Sequence, residues 1–236
     1  MLSSLIRTLL SGEAPGMGII VQFFAIVFIA LCCFPIHESA HAWMADRLGD
    51  PTGRLSGRIT LNPFAHLDII GSLMILLFGF GYAKPVPVNI NNFPPKKRKL
   101  YFALTALAGP VSNLLLAVVF SLFENLFIAL IASRGSTTVL MVAMYFFGAA
   151  ASVNVSLAIF NMIPIPPLDG SRILMVVLPD HIYNKFLQYE RYSMYALFAL
   201  IFIFNRIGIS PVSSLSGIVL NGISWITSLP FAHWIG

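Results

Sequence analysis

From Met17 to Ile36 the chain carries no charged side chain, and the five residues that follow are His37, Glu38, Ser39, Ala40 and His41. An uncharged, predominantly apolar run of roughly 20 residues is long enough to cross the hydrocarbon of a bilayer as a helix. Ionisable groups at membrane depth are costly unless something compensates them. Any fold for this chain has to satisfy both facts, and the second asks what recruits two imidazoles and a carboxylate to the end of a greasy helix.

The rest of the composition extends the first point. Of 236 residues, 58% are hydrophobic and 10% charged, whereas an ordinary soluble domain carries about 25% charged residues. Too few charges remain to coat a water-facing surface. The expected class is an all-α polytopic membrane protein with about 4–6 transmembrane helices. The net charge of +5 does not indicate nucleic acid, because the basic residues lie in loops between apolar segments, where membrane topology accounts for them. Cys32 and Cys33 are adjacent within the apolar run. They imply neither a disulfide framework nor a metal site, and read as small buried hydrophobes.

Along the chain, residues 1–16 place Leu2, Leu5, Ile6, Leu9 and Leu10 on one helical face. This suits an interfacial helix better than a cleaved signal peptide. Residues 17–175 read as the functional core and 176–236 as C-terminal transmembrane helices. The first span is expected over about 17–46, followed by a polar stretch. The apolar stretch within 67–83 is short and glycine-rich, so it reads as re-entrant. The segment KPVPVNINNFPP, 84–95, holds four prolines and alternates Val86, Val88 and Ile90. It reads as an extended, β-like loop or edge strand near the active site. Long helices follow over about 100–133 and 138–161, then a proline-rich break, MIPIPPLDGSR, then apolar segments at 191–209 and 212–229. No internal repeat is present. If 67–83 re-enters, most basic residues, the KKRK cluster at 96–99 among them, fall on one side, which is then cytoplasmic.

His37 and His41 stand four residues apart, so a helix presents both imidazoles to one metal ion. Glu38 lies about 100° round the axis, where it can act as general base without joining the metal. This is the HExxH arrangement of helical zinc sites. Pro35, without an N–H, should leave a carbonyl near Leu31 unpaired and loosen the helix. A catalytic zinc usually takes three protein ligands. Asp169 stands out as the third, because it lies where a helix breaks in apolar surroundings. His66 and Asp68 in NPFAHLD are closer contenders than the other acids, and a site completed by Glu124 or Glu190 stays open.

HESAH at the end of an apolar helix, AGPVSN with Asn113, and FNMIPIPPLDG, in that order, resemble the site-2 proteases, which are intramembrane zinc metalloproteases. The resemblance covers about residues 17–175. It implies one Zn2+ per chain held by His37, His41 and Asp169, Glu38 as the base, and Asn161 positioning the scissile carbonyl. It also implies membrane-protein substrates with a transmembrane helix. Larger members carry a PDZ domain, for which these motifs leave no room. His66 and Asp68 are read as a local cap and loop brace, and Asn113 and Asn154 as interhelical hydrogen-bond partners. Val86, Val88 and Asn89 are candidate substrate-binding residues, since an extended substrate could add to such an edge. The expected location is a bacterial inner membrane, with the active site nearer the cytoplasm. A metal transporter and an inactive binding relative are the rival readings. Neither the substrate nor the oligomeric state is legible.

Overall fold

The computed structural model describes residues 17–68, 71, 84–179, 211–235 and scattered positions between 181 and 203. The expected interfacial helix over 1–16, most of the short apolar stretch before Lys84, and most of the 191–209 segment lie outside the described residues. Every described regular element is helical, as an all-α membrane protein requires. Helix α1 spans Met17–Phe28, a π-helical turn Ile29–Cys33 follows, and α2 spans Phe34–Leu48. A short α3 covers Thr52–Leu55, α4 Arg98–Arg134, α5 Thr138–Asn161, α6 Asp169–Val177, α7 Pro211–Ser228 and α8 Ala232–Ile235. Among the described residues, three stretches are long and apolar enough to cross a membrane: Pro95–Arg134, Thr138–Asn161 and Val212–Trp234.

The proline effect appears as a wider turn. Phe34 N–H reaches back to Ile29 O, five residues away, and Pro35, which has no amide hydrogen to offer, sits in the first turn of α2. Single π turns of this kind recur at functional sites because they re-aim the residues that follow. Ile29 and Cys33 pack against Phe120 of α4 and Ala150 and Ala151 of α5. Small side chains there let the helices approach closely. Cys33 is buried as expected, but Cys32 is exposed, because consecutive helical residues cannot both face one partner.

Helix α4 is the central post, packing against α2, α5, α6 and α7. At 37 residues and 1.5 Å per residue it is about 55 Å long, so it emerges from a hydrocarbon layer about 30 Å thick. Thr105, Gly109, Asn113 and Ala117 recur every fourth residue and are buried, while Val111, Leu115, Val118 and Leu122 are exposed. One face therefore meets protein and the other is suited to lipid. Near its far end Ser121 and Thr227 share a hydrogen bond of 2.9 Å, and Asn125 Nδ2 donates to Thr227 Oγ1 at 2.8 Å. These bonds tie α7 to α4.

The polar chain between α2 and α4 folds back on itself. Lys84 N–H donates to His66 O at 2.7 Å. Arg58 Nη1 donates to Ala65 O at 2.6 Å and to Lys84 O at 3.2 Å. The residues on either side of the short apolar stretch thus meet. Segment 84–89 forms no strand with the described residues. Lys84 and Val86 each precede a proline, which favours extended backbone. Asn89 is extended at φ −101° and ψ 98°, and 3-10 turns follow at Ile90–Asn92 and Pro95–Lys97.

Candidate metal centre

Three elements converge on one corner. Helix α2 carries His37 and His41 one turn apart, both buried. The chain after α5 breaks at Met162–Leu168, and α6 restarts with Asp169 as its first residue. Gly170, the next residue, is pressed against the break, where an added Cβ would lie 2.7 Å from Ile163 O. Helix α4 closes the third side. A Cβ on Gly109 would overlap His41 Nε2 and come within 2.6 Å of His37 Cε1. Only a residue without a side chain lets α4 approach the imidazoles this closely.

The ligand atoms form a near-equilateral triangle. His37 Nε2 and His41 Nε2 are 3.1 Å apart, and Asp169 Oδ2 is 3.3 Å from each. Bonds of about 2.0–2.1 Å from a tetrahedral zinc give ligand separations of about 3.3 Å, so the spacing fits that ion. Proton inventory supports the same conclusion. His41 Nδ1 is 2.8 Å from Thr105 O. A carbonyl only accepts, so neutral His41 carries its proton on Nδ1 and turns the Nε2 lone pair into the triangle. Two acceptors, His41 Nε2 and Asp169 Oδ2, then face each other, and Asp169 Oδ2 has no hydrogen-bond donor. Such an arrangement calls for a cation. Among the described residues this is the group of histidine, cysteine and acidic side chains that converges tightly enough to hold one.

The other candidate residues supply no atom to this triangle of ligand atoms. Glu38 follows His37 on the same helix and is half-buried. Asn161 ends α5, and its Nδ2 donates to Leu157 O at 3.1 Å. His66, fully buried, places Nε2 2.9 Å from Thr60 O, and Asp68 Oδ1 accepts from Gly71 N at 2.9 Å. Both serve local backbone. Asn154 Nδ2 donates to Ala150 O at 2.9 Å and reaches Cys33 Sγ at 3.5 Å, bridging α5 to the π turn. Asn113 is also buried, but neither of its amide atoms has a partner among the described residues. The interhelical bond expected of it is not formed there. Glu124 lies against Gly148 of α5 and not at the cluster, while Glu190 falls outside the described residues.

Val86 and Val88 are half-buried, and Pro85, Pro87 and Asn89 are exposed. Asn89 Oδ1 accepts from Asn91 N at 3.1 Å, so its side chain caps the following turn. Ser39, Thr105, Gly109 and Asp50 had not been singled out. Ser39 Oγ donates to Thr60 O at 2.5 Å, fastening the polar chain beside Glu38. Asp50 accepts from Thr52, Asn92 and Asn89. Burial works to raise its pKa, but those hydrogen bonds outweigh it and hold the carboxyl below its ordinary value. Of the four, Gly109 and Ser39 stand inside the motifs AGPVSN and HESAH, but neither motif assigns them a role.

Comparison with known proteins agrees with this geometry. The model of Peptidase family M50 matches residues 125–204. Three relatives bear the name "Putative zinc metalloprotease". YwhC of Bacillus subtilis (strain 168) is 38% identical over 182 residues, 75% of this chain and 80% of that protein. MJ0611 of Methanocaldococcus jannaschii is 33% identical over 163 residues, 68% of this chain and 73% of that protein. Rip2 of Mycolicibacterium smegmatis, named in the same way, is 28% identical over 159 residues and is covered over 56% of its length. No solved structure matches. With its apolar spans and its triad of ligand atoms, the chain is a membrane metallopeptidase and belongs to peptidase family M50, the site-2 proteases.

Proposed function

We propose that this protein hydrolyses peptide bonds within or beside transmembrane segments of membrane-protein substrates, using one zinc ion per chain. The observation that carries the proposal is the triangle of His37, His41 and Asp169 at the end of a membrane helix. When bound there, zinc would supply Lewis acidity and lower the pKa of water to about 7.

The chain's own residues supply the rest. Thr105 O fixes the tautomer and tilt of His41, as an outer partner of a metal ligand does. Glu38, beside His37 but pointing elsewhere around the helix, takes a proton from water and returns it to the leaving amine. Asn161 uses one amide hydrogen on Leu157 O, leaving its second amide hydrogen to donate to the scissile carbonyl. A transmembrane helix must unwind before its peptide bonds can react, and segment 84–89 offers an extended backbone for it to pair with. Among the described residues, the amides of Val86 and Val88 have no hydrogen-bond partner. The clustering of basic residues on one side, now joined by the meeting of His66 and Lys84, supports an active site nearer the cytoplasm of a bacterial inner membrane.

Reconstitution in liposomes with tagged transmembrane peptides tests the reading. Wild type should cut at mapped positions, and Glu38→Gln should retain zinc but not cut. Equal turnover by both would remove Glu38 from the reaction, and metal flux without cleavage would indicate a transporter. Val86→Pro with Val88→Gly should impair cleavage while sparing zinc. Unchanged cleavage by that variant would end the strand-pairing part of the proposal.

A further inference from the structure

Asp50 is a fully buried carboxylate, 0% exposed, and it is not part of the metal cluster. Its position is set by the end of the catalytic helix. Gly49 takes the left-handed conformation, φ 111°, that most residues avoid, and Asp50 N–H then donates to Ala45 O at 2.8 Å. This closing turn makes Asp50 a rigid extension of α2, two turns beyond His41.

From there the carboxylate reaches across the sequence. Oδ2 accepts from Asn89 N at 2.7 Å, and Oδ1 accepts from Asn92 Nδ2 at 2.6 Å and from Thr52 N at 3.2 Å. In an extended chain, successive residues direct their N–H and C=O to opposite edges. Asn89, whose N–H on this edge meets Asp50, therefore shares an edge with Pro85 and Pro87. The two prolines have no N–H to satisfy there. The opposite edge carries Val86 and Val88. Their side chains help to seat the segment: a Cβ at Gly53 would lie 3.3 Å from Val86 Cγ1, and Val88 packs on the cluster of Ala45, Phe93 and Phe102.

We propose that Asp50 is a positioning residue for substrate. Its carboxylate locks segment 84–92 in register against the helix that bears His37 and His41, so that the Val86–Val88 edge is offered at a fixed offset from the metal centre. This rests on the strand-pairing reading above. A slip of the segment would shift which substrate bond faces the metal. Asp50→Asn keeps the shape but replaces one acceptor by a donor, which sets two donors against each other at Asn89 N or at Asn92.

The test measures zinc content, kcat, KM and cut positions by mass spectrometry in proteoliposomes, using a transmembrane peptide that wild type cleaves. Asp50→Asn should raise KM about tenfold, the loss expected for one hydrogen bond to a charged group. It should also spread the cuts to neighbouring bonds, with zinc content and kcat close to wild type. Asn92→Ala, at an exposed position, removes one donor from the other end of the clasp and should move both readouts in the same direction. Should Asp50→Asn not fold, that variant alone decides. Wild-type KM and a single cut position in the clasp variants would overturn the proposal, as would a loss confined to zinc content. If Val86→Pro with Val88→Gly impairs cleavage while the clasp variants do not, the clasp alone is wrong. If the valine variant is also without effect, the pairing reading and the clasp fall together.

Discussion

Asp169 and Asp50 are two buried carboxylates with opposite surroundings. Asp169 Oδ2 faces two imidazole nitrogens at 3.3 Å and has no hydrogen-bond donor. Asp50 is met by backbone and side-chain donors from Thr52, Asn89 and Asn92. A carboxylate ringed by donors is satisfied by the protein itself, whereas one set among acceptors needs a cation. The donor inventory separates a metal ligand from a structural clasp, although both are aspartates next to a glycine at a helix terminus.

The largest effect that should separate the two sites is metal loss. Asp169→Asn should reduce zinc affinity by more than the roughly 10–100-fold that accompanies loss of an outer partner. Gly109→Ala should do the same, since its new methyl collides with both imidazoles. Metal analysis after dialysis checks both, and full zinc content in Gly109→Ala would show that α4 can retreat. Asp50→Asn, by contrast, should leave zinc in place.

Acid sharpens the contrast. The folded-state pKa of Asp50 is depressed, so its contribution to stability is fully present above the unfolded value of about 3.9 and is lost as pH falls through the folded value. Protease resistance of the 84–92 segment should be flat from neutral pH down to about 5 and should fall off below about 4. In Asp50→Asn that acid limb should be missing. An identical acid limb in the variant would assign it to another group.

Arg58→Met should come next. It leaves Ala65 O and Lys84 O without their donor, at about 0.5–1.5 kcal/mol per hydrogen bond, since Lys84 is exposed and Ala65 half-buried. Hydrogen exchange at Lys84 N–H should quicken, and unchanged exchange would mean that the neck is held without Arg58. Asn154→Leu should be smallest, near the roughly 0.6 kcal/mol average of interhelical bonds in a bilayer. A shift in thermal midpoint well beyond that would give the Cys33 contact a larger part in holding the π turn.

What the sequence revealed follows from distance along the chain. His37 and His41 are legible because helical periodicity alone puts them on one face. Asp169 is legible because a proline-rich break inside an apolar run has few other reasons to carry an acid. The helices over 98–134 and 138–161 lie within about two residues of where apolar length placed them. Asp50 looked like an ordinary loop acid, since its partners Asn89 and Asn92 are 39 and 42 residues away. Thr105 was invisible for a different reason: it contributes a backbone carbonyl, which every residue possesses. Gly109 shows its function only once the imidazoles opposite it are in place.

The most direct test of the central claim is zinc-edge X-ray absorption on the purified protein, compared between wild type and Asp169→Asn. Wild type should hold one zinc per chain, with scattering from two imidazoles and a carboxylate oxygen at about 2.0–2.2 Å. The variant should lose most of that metal. Equal zinc content with an unchanged coordination shell in Asp169→Asn would contradict the account.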